Sequence, residues 1–223
     1  MATNFNPEKP LSALRTHKDY YTALYHCALT ISSSLELEQV LESVVTSTTD
    51  AMQVKACVLR LLDATSGQLE LSAVHGLSSD YLAKGPVKVT NSAIDSEALH
   101  GTPVFVPDVR VDPRFQYQDA ARHEGIVAAL CVPLEVRGTY IGVMRVYTGE
   151  PTVFGEEDVQ FISVLASLAA LAIENARLYE DLRATFQQTI RGLARAIDKM
   201  DRYTAGHSER VATYATYLAL RLG

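Results

Sequence analysis

Residues 125–149 read GIVAALCVPLEVRGTYIGVMRVYTG. Two apolar runs, 125–136 and 140–149, are joined across Arg137, Gly138 and Thr139. Valine recurs in both, each has an isoleucine, and a glycine stands in the connection, so the stretch predicts a β-hairpin. Neither run alternates strictly between apolar and polar residues. Strands of that kind are covered on both faces and lie in the middle of a sheet. The hairpin therefore needs layers above and below it, and the rest of the chain must supply them.

Upstream, KACVLRLLD (55–63) and QLELSAVH (68–75) form a second hairpin across ATSG, and PVFVPD (103–108) gives a short strand. The flanks read as helix. From Asp19 onward, Tyr21, Leu24, Tyr25, Ala28 and Ile31 recur at helical spacing and are expected to share a buried face. After Ser32–Ser34, a second helix is marked by Leu37, Val40, Leu41, Val44, Val45 and Met52, with Ser34 as its N-cap. Asn91 to His100 reads as a short helix capped by Asn91 or Ser92, and Pro113 to Glu124 as a helix or irregular turn. Beyond Phe154 helix signals run almost unbroken to Met200, roughly 60 Å of helix. Leu165, Leu168, Ala172, Asn175, Tyr179, Leu182, Phe186, Thr189, Leu193, Ala196 and Met200 alternate in steps of three and four, the pattern of a coiled-coil seam. A stripe this long exceeds what one small domain can cover, which predicts a homodimer through the terminal helices; the alternative is a helix packed on its own domain for its first half. Strands gathered centrally and helices at the chain ends give an α+β fold with a mostly antiparallel sheet.

Length and composition agree with one medium domain and a helical appendage: 223 residues, 48% hydrophobic, 21% charged. The net charge of −6 argues against a nucleic-acid partner, which needs clustered Lys and Arg. Charge is uneven: −10 over residues 1–182 and +4 over 183–223, which marks a boundary. Residues 1–18 are polar and Pro-containing, a loose tail without an apolar signal core. The longest apolar run, 164–173, is shorter than the ~20 residues a bilayer requires. A soluble, cytoplasmic chain with no membrane partner is expected. Cys27, Cys57 and Cys131 sit among apolar neighbours and read as buried small hydrophobes.

Four segments carry a family resemblance: AVHGL (73–77), GTPVFVPDVRVDPRF (101–115), AALCVPLEVRGTYIGVMRVY (128–147) and FGEEDVQFISVLASLAALAIENARLYEDL (154–182). With them, residues 19–182 resemble a GAF domain, the small sensory domain of signalling proteins. The resemblance implies a six-stranded antiparallel sheet, terminal helices on one face, and a ligand pocket among short helices and loops on the other. Ser92, Asp95 and Leu99 on the short helix, Phe115 and Tyr117 in the variable segment, and Cys131 and Arg145 on the central strands are the candidate ligand-binding residues. The cyclic-nucleotide signature of some members is not matched: Gln116 and Tyr117 stand where Asn and Lys would be, and Val159 replaces a Glu, although Phe154 and Asp158 fit. Covalent bilin attachment would need an exposed Cys, and an iron site would need His75, His100 and His123 to converge.

LARAIDKMDRYTAGHSERVATYATYLALRLG closes the sequence and resembles the opening of an HD-GYP domain, a metal-dependent phosphodiesterase of cyclic di-GMP. Residues 183–200 would then be a coiled-coil linker and 201–223 an incomplete catalytic domain. At the position of His207 the family carries a metal ligand; its remaining ligands lie dozens of residues further on. One His cannot hold a catalytic metal, so the chain itself is expected to carry no catalytic residues and no cofactor. Two divalent metals, of the iron or manganese type, are implied for a full-length parent, because Tyr203 stands where members with a third metal place an acid. The expected function is small-molecule sensing in a bacterial signalling protein with a cyclic di-GMP phosphodiesterase output. The alternative is a GAF domain serving only as a dimerisation scaffold.

Overall fold

A computed structural model describes residues 17–33, 36–200 and 207–222. The loose tail before residue 17, Ser34 as a cap, and Tyr203 lie outside the described residues. In chain order the elements are α1 (His17–Ser33), α2 (Leu37–Met52), β1 (Ala56–Asp63), β2 (Gln68–His75), α3 (Ser79–Leu82), α4 (Ala93–Ala98), β3 (Val104–Val106), α5 (Gln118–Glu124), β4 (Ala128–Val136), β5 (Thr139–Thr148), α6 (Glu156–Met200) and α7 (His207–Leu222), with a 3₁₀ turn at Val89–Asn91. Two units emerge, Met1–Glu174 and Asn175–Gly223.

The first unit is built on one antiparallel sheet with strand order β2-β1-β5-β4-β3. The hairpin β4–β5 lies inside it, as its long apolar runs require. Val136 pairs with Thr139, leaving a two-residue turn in which Arg137 (φ 50°) and Gly138 (φ 79°) are both left-handed. A turn of that hand matches strand twist. Five strands, not six, are present among the described residues. Outside β2 the chain makes only an isolated bridge, Gln68 to Lys88. Gly85 (φ 121°) and Pro86, which has no N–H, precede that bridge, and the 3₁₀ turn follows it, so no ladder can extend.

Strand alternation divides the interior. Cys57 and Leu59, Leu130, Val132 and Leu134, and Met144 and Val146 belong to a core shared with α1, α2 and the first part of α6. Ala56 and Val58, Ala129 and Cys131, and Val143 and Tyr147 belong to a second core shared with α3, α4, α5 and their loops. Burying both faces is the main favourable term for such a layered domain.

Three helix expectations need correction. In α1 the buried positions are Ala23 and Cys27, with Tyr20 and Leu24 packed beside them, while Tyr21 and Tyr25 are 72% and 63% exposed. The tyrosines set the apparent phase because they count as apolar, yet their hydroxyls favour water. The N-cap position of α2 falls on Glu36, which makes no side-chain capping bond. In α6, Leu165 and Ala172 are buried in the first unit's own core, so the seam does not start there; Tyr179, Leu182, Phe186 and Leu193 are exposed. By length and composition α6 could cross a membrane, and 44% of its most apolar window is buried inside the protein.

The second half of the cyclic-nucleotide signature has structural work here. Phe154 packs edge-on against Phe105, with centroids 5.7 Å apart. Asp158 is fully buried; it accepts from Gly155 N at 2.8 Å and from the hydroxyl of Tyr20. Tyr20 also stacks on Phe161 at 3.9 Å.

Candidate functional site

The second core contains charge, which apolar packing alone does not explain. Alternation along β5 turns Val143, Arg145 and Tyr147 toward the short helices, and register places Arg145 between Val58 of β1 and Cys131 of β4. Ser92 starts α4 by accepting from Asp95 N at 3.4 Å, which sets Asp95 on the inward face of that helix. Asp95 (1% exposed) and Arg145 (8%) form a buried ion pair through Asp95 Oδ1 and an Arg145 Nη. The Cys131 thiol points to the same oxygen at 3.7 Å. The Phe115 and Tyr147 rings lie 5.7 and 5.9 Å from the guanidinium carbon.

Satisfaction is incomplete. Asp95 Oδ2 and Arg145 Nε are buried and have no hydrogen-bond partner. Each such group costs roughly 1–3 kcal/mol, more when charged. Burial alone would lower the pKa of Arg145, but Asp95 beside it outweighs that and holds it well above the ordinary value. Burial pushes the Cys131 thiol up to about 12, against a smaller opposing effect of Arg145. Cys57 and Cys27 are raised by burial too, so none of the three thiols is poised as a nucleophile at neutral pH.

All seven sequence-predicted positions fall in or beside this second core. Ser92, Asp95, Phe115, Cys131 and Arg145 are buried. Leu99 and Tyr117 are half-buried against it, and the Tyr117 hydroxyl donates to Pro86 O at 2.8 Å. Sequence reading missed Arg60, Lys84, Tyr81 and Tyr147. Arg60, two residues after Val58 on the same face of β1, donates to Leu69 O at 2.9 Å and is lowered in pKa chiefly by burial. Lys84 holds its ammonium 3.5 Å over the Tyr81 ring, and its pKa falls to about 7 through burial, with Arg60 and Arg145 adding to the effect. A lone Arg inside an apolar strand was the available signal for Arg60; Lys84, in a loop, had none.

His75, His100 and His123 do not converge: His75 contacts Thr46, His100 contacts Ser96 O, and His123 contacts Asp119 O, each at the surface. Among the described residues no group of three or more His, Cys, Asp or Glu could hold a metal. His207 is the first residue of α7; its side chain lies outside the described residues.

The GAF domain model matches residues 36–173. The Nif-specific regulatory protein of Herbaspirillum seropedicae is 24% identical over 170 residues, covering 74% of this chain and 31% of that protein. The chain thus spans about a third of the length of the curated relatives it matches. Among solved structures, the GAF domain of a phosphoenolpyruvate-protein phosphotransferase from Coxiella burnetii superposes with a TM-score of 0.66 at 24% identity, over 74% of this chain and 98% of that one. The free methionine-R-sulfoxide reductase of Neisseria meningitidis, solved in complex with its substrate, gives 0.62 at 20% identity, over 74% of this chain and 95% of that one. Sheet order, the two covered faces and a family match over more than half its length together place the chain in the GAF domain family.

Proposed function

We propose that the chain is the sensory input region of a bacterial signalling protein, which takes a small molecule between its sheet and α3–α5. The observation that carries this reading is the Asp95–Arg145 pair with its unpartnered Oδ2 and Nε atoms. A buried pair of this kind is weak as a stabiliser, so its presence favours a use in binding. Ser92, Asp95, Leu99, Phe115, Tyr117, Cys131 and Arg145 are the proposed contacts. GAF domains bind small molecules in regulatory proteins, and the named relative is a regulatory protein.

The output half of the proposal rests on residues 183–223. Tyr179, Leu182, Phe186 and Leu193 of α6 would pair with a second copy, and residues 201–223 would open an HD-GYP phosphodiesterase domain. There His207, with ligands further along the parent protein, would help hold two divalent metals that supply hydrolytic chemistry for cyclic di-GMP. The whole would operate in the cytoplasm. Denaturing the freshly purified chain and analysing released small molecules by mass spectrometry tests the sensing half. No released compound, and no change in melting temperature with a broad metabolite panel, would leave the scaffold reading instead. Phosphodiesterase rates of the full-length parent with and without ligand test the output; equal rates reject regulation.

A further inference from the structure

The charges around the second core do not balance. Arg145 is neutralised by Asp95. Among the described residues Arg60 and Lys84 have no carboxylate within ion-pairing distance, yet both are half-buried toward the same cluster: Arg60 pairs with Val143, two residues from Arg145 on the same face of β5, and Lys84 lies over Tyr81, whose ring meets that of Tyr147 edge-on. Glu124, which acts on Lys84 electrostatically, is held by Ser78, whose N donates at 3.0 Å and whose hydroxyl donates as well. Arg60 and Lys84 therefore lack an ion-pair partner in the cluster that also holds the unpartnered Nε of Arg145, a side chain nine-tenths buried. The rings of Tyr81, Phe115 and Tyr147 form apolar walls around them.

Resting on the sensing reading above, we propose that the ligand is a small dianion, a dicarboxylate or a phosphate monoester, seated against Arg60, Lys84 and the Nε edge of Arg145. Two negative charges match Arg60 and a Lys84 that the bound anion keeps protonated, while Asp95 keeps Arg145. A guanidinium offers paired N–H groups suited to both carboxylate and phosphate oxygens. A cationic ligand would be repelled, and a neutral one would leave the same imbalance in place.

Isothermal titration of the whole 223-residue chain with succinate and with phenyl phosphate, against neutral succinamide, tests this. Arg60→Gln and Lys84→Gln are titrated in parallel, with melting curves to show that they fold; both sit at the edge of the core. We expect one dianion to bind with unit stoichiometry and each variant to weaken it ~10-fold or more, as loss of a charge-assisted hydrogen bond would. Binding of succinate alone assigns a dicarboxylate, and of phenyl phosphate alone a phosphate ester. Undiminished binding in both variants, or succinamide binding as tightly as succinate, overturns the proposal. If only neutral metabolites bind, the dianion is wrong and sensing stands; if nothing binds at all, both readings fall.

Discussion

Replacing Asp95 by Leu strands Arg145 in the second core. The guanidinium is 8% exposed, cannot lose its proton, and would face Arg60 and Lys84 without a counter-charge. Removing one partner of such a pair costs about 3–5 kcal/mol, whereas replacing both by apolar residues is neutral or stabilising. Arg145→Met should cost less, about 1–3 kcal/mol, because Arg60 and Lys84 still act on the carboxylate of Asp95. The double variant should return to within about 1 kcal/mol of the parent. Urea unfolding with an unchanged m-value reads these differences directly, and the Asp95→Leu loss corresponds to a fall in Tm of roughly 6–20 °C for a domain of this size. If the double variant instead shows the sum of the two single losses, the side chains act independently and the charge-pair reasoning is refuted.

Three other outcomes are expected. A Cβ at Gly142, in the middle of β5, would come within 3.0 Å of Leu61 Cα and closer still to Arg60 O, so Gly142→Ala should lose ~1–3 kcal/mol in thermal melts. Lys84 has a folded pKa of about 7 against 10.5 unfolded, so the unfolded chain binds the extra proton between those values. Stability should rise with pH across that window, by at most about 1.4 kcal/mol per unit, and Lys84→Met should flatten the rise in urea titrations run from pH 6 to 10. Leu182→Glu combined with Phe186→Glu places charge on exposed apolar positions of α6; light scattering should show the dimer giving way to monomer, and a parent that is monomeric to begin with refutes the seam.

The sheet was legible because its signals are local. The β4–β5 hairpin announced itself through two apolar runs and a Gly-bearing turn, and its centrality followed from the lack of alternation. What escaped was set by relations between distant residues. The phase of α1 depended on whether Tyr21 or Ala23 meets α2 and the sheet, which spacing alone leaves open when tyrosines count as apolar. The sixth strand is a family expectation that Gly85, Pro86 and the following 3₁₀ turn cancel. At the site, Arg145 and Cys131 were placed by strand parity, but pairing Arg145 with Asp95 required knowing where α4 sits. Arg60 and Lys84 belong to the same cluster only through sheet register and a loop's path, and neither is written in its neighbours.

Tyr20 and Asp158 are 138 residues apart, yet the hydroxyl of one meets the carboxylate of the other. The first and last helices of the sensory unit are therefore clasped through Tyr20, which bonds Asp158 and stacks on Phe161. The helix by which the chain enters the unit is thus tied to the one by which it leaves. The link reaches from the leading helix to the base of the trailing one without crossing the sheet at all.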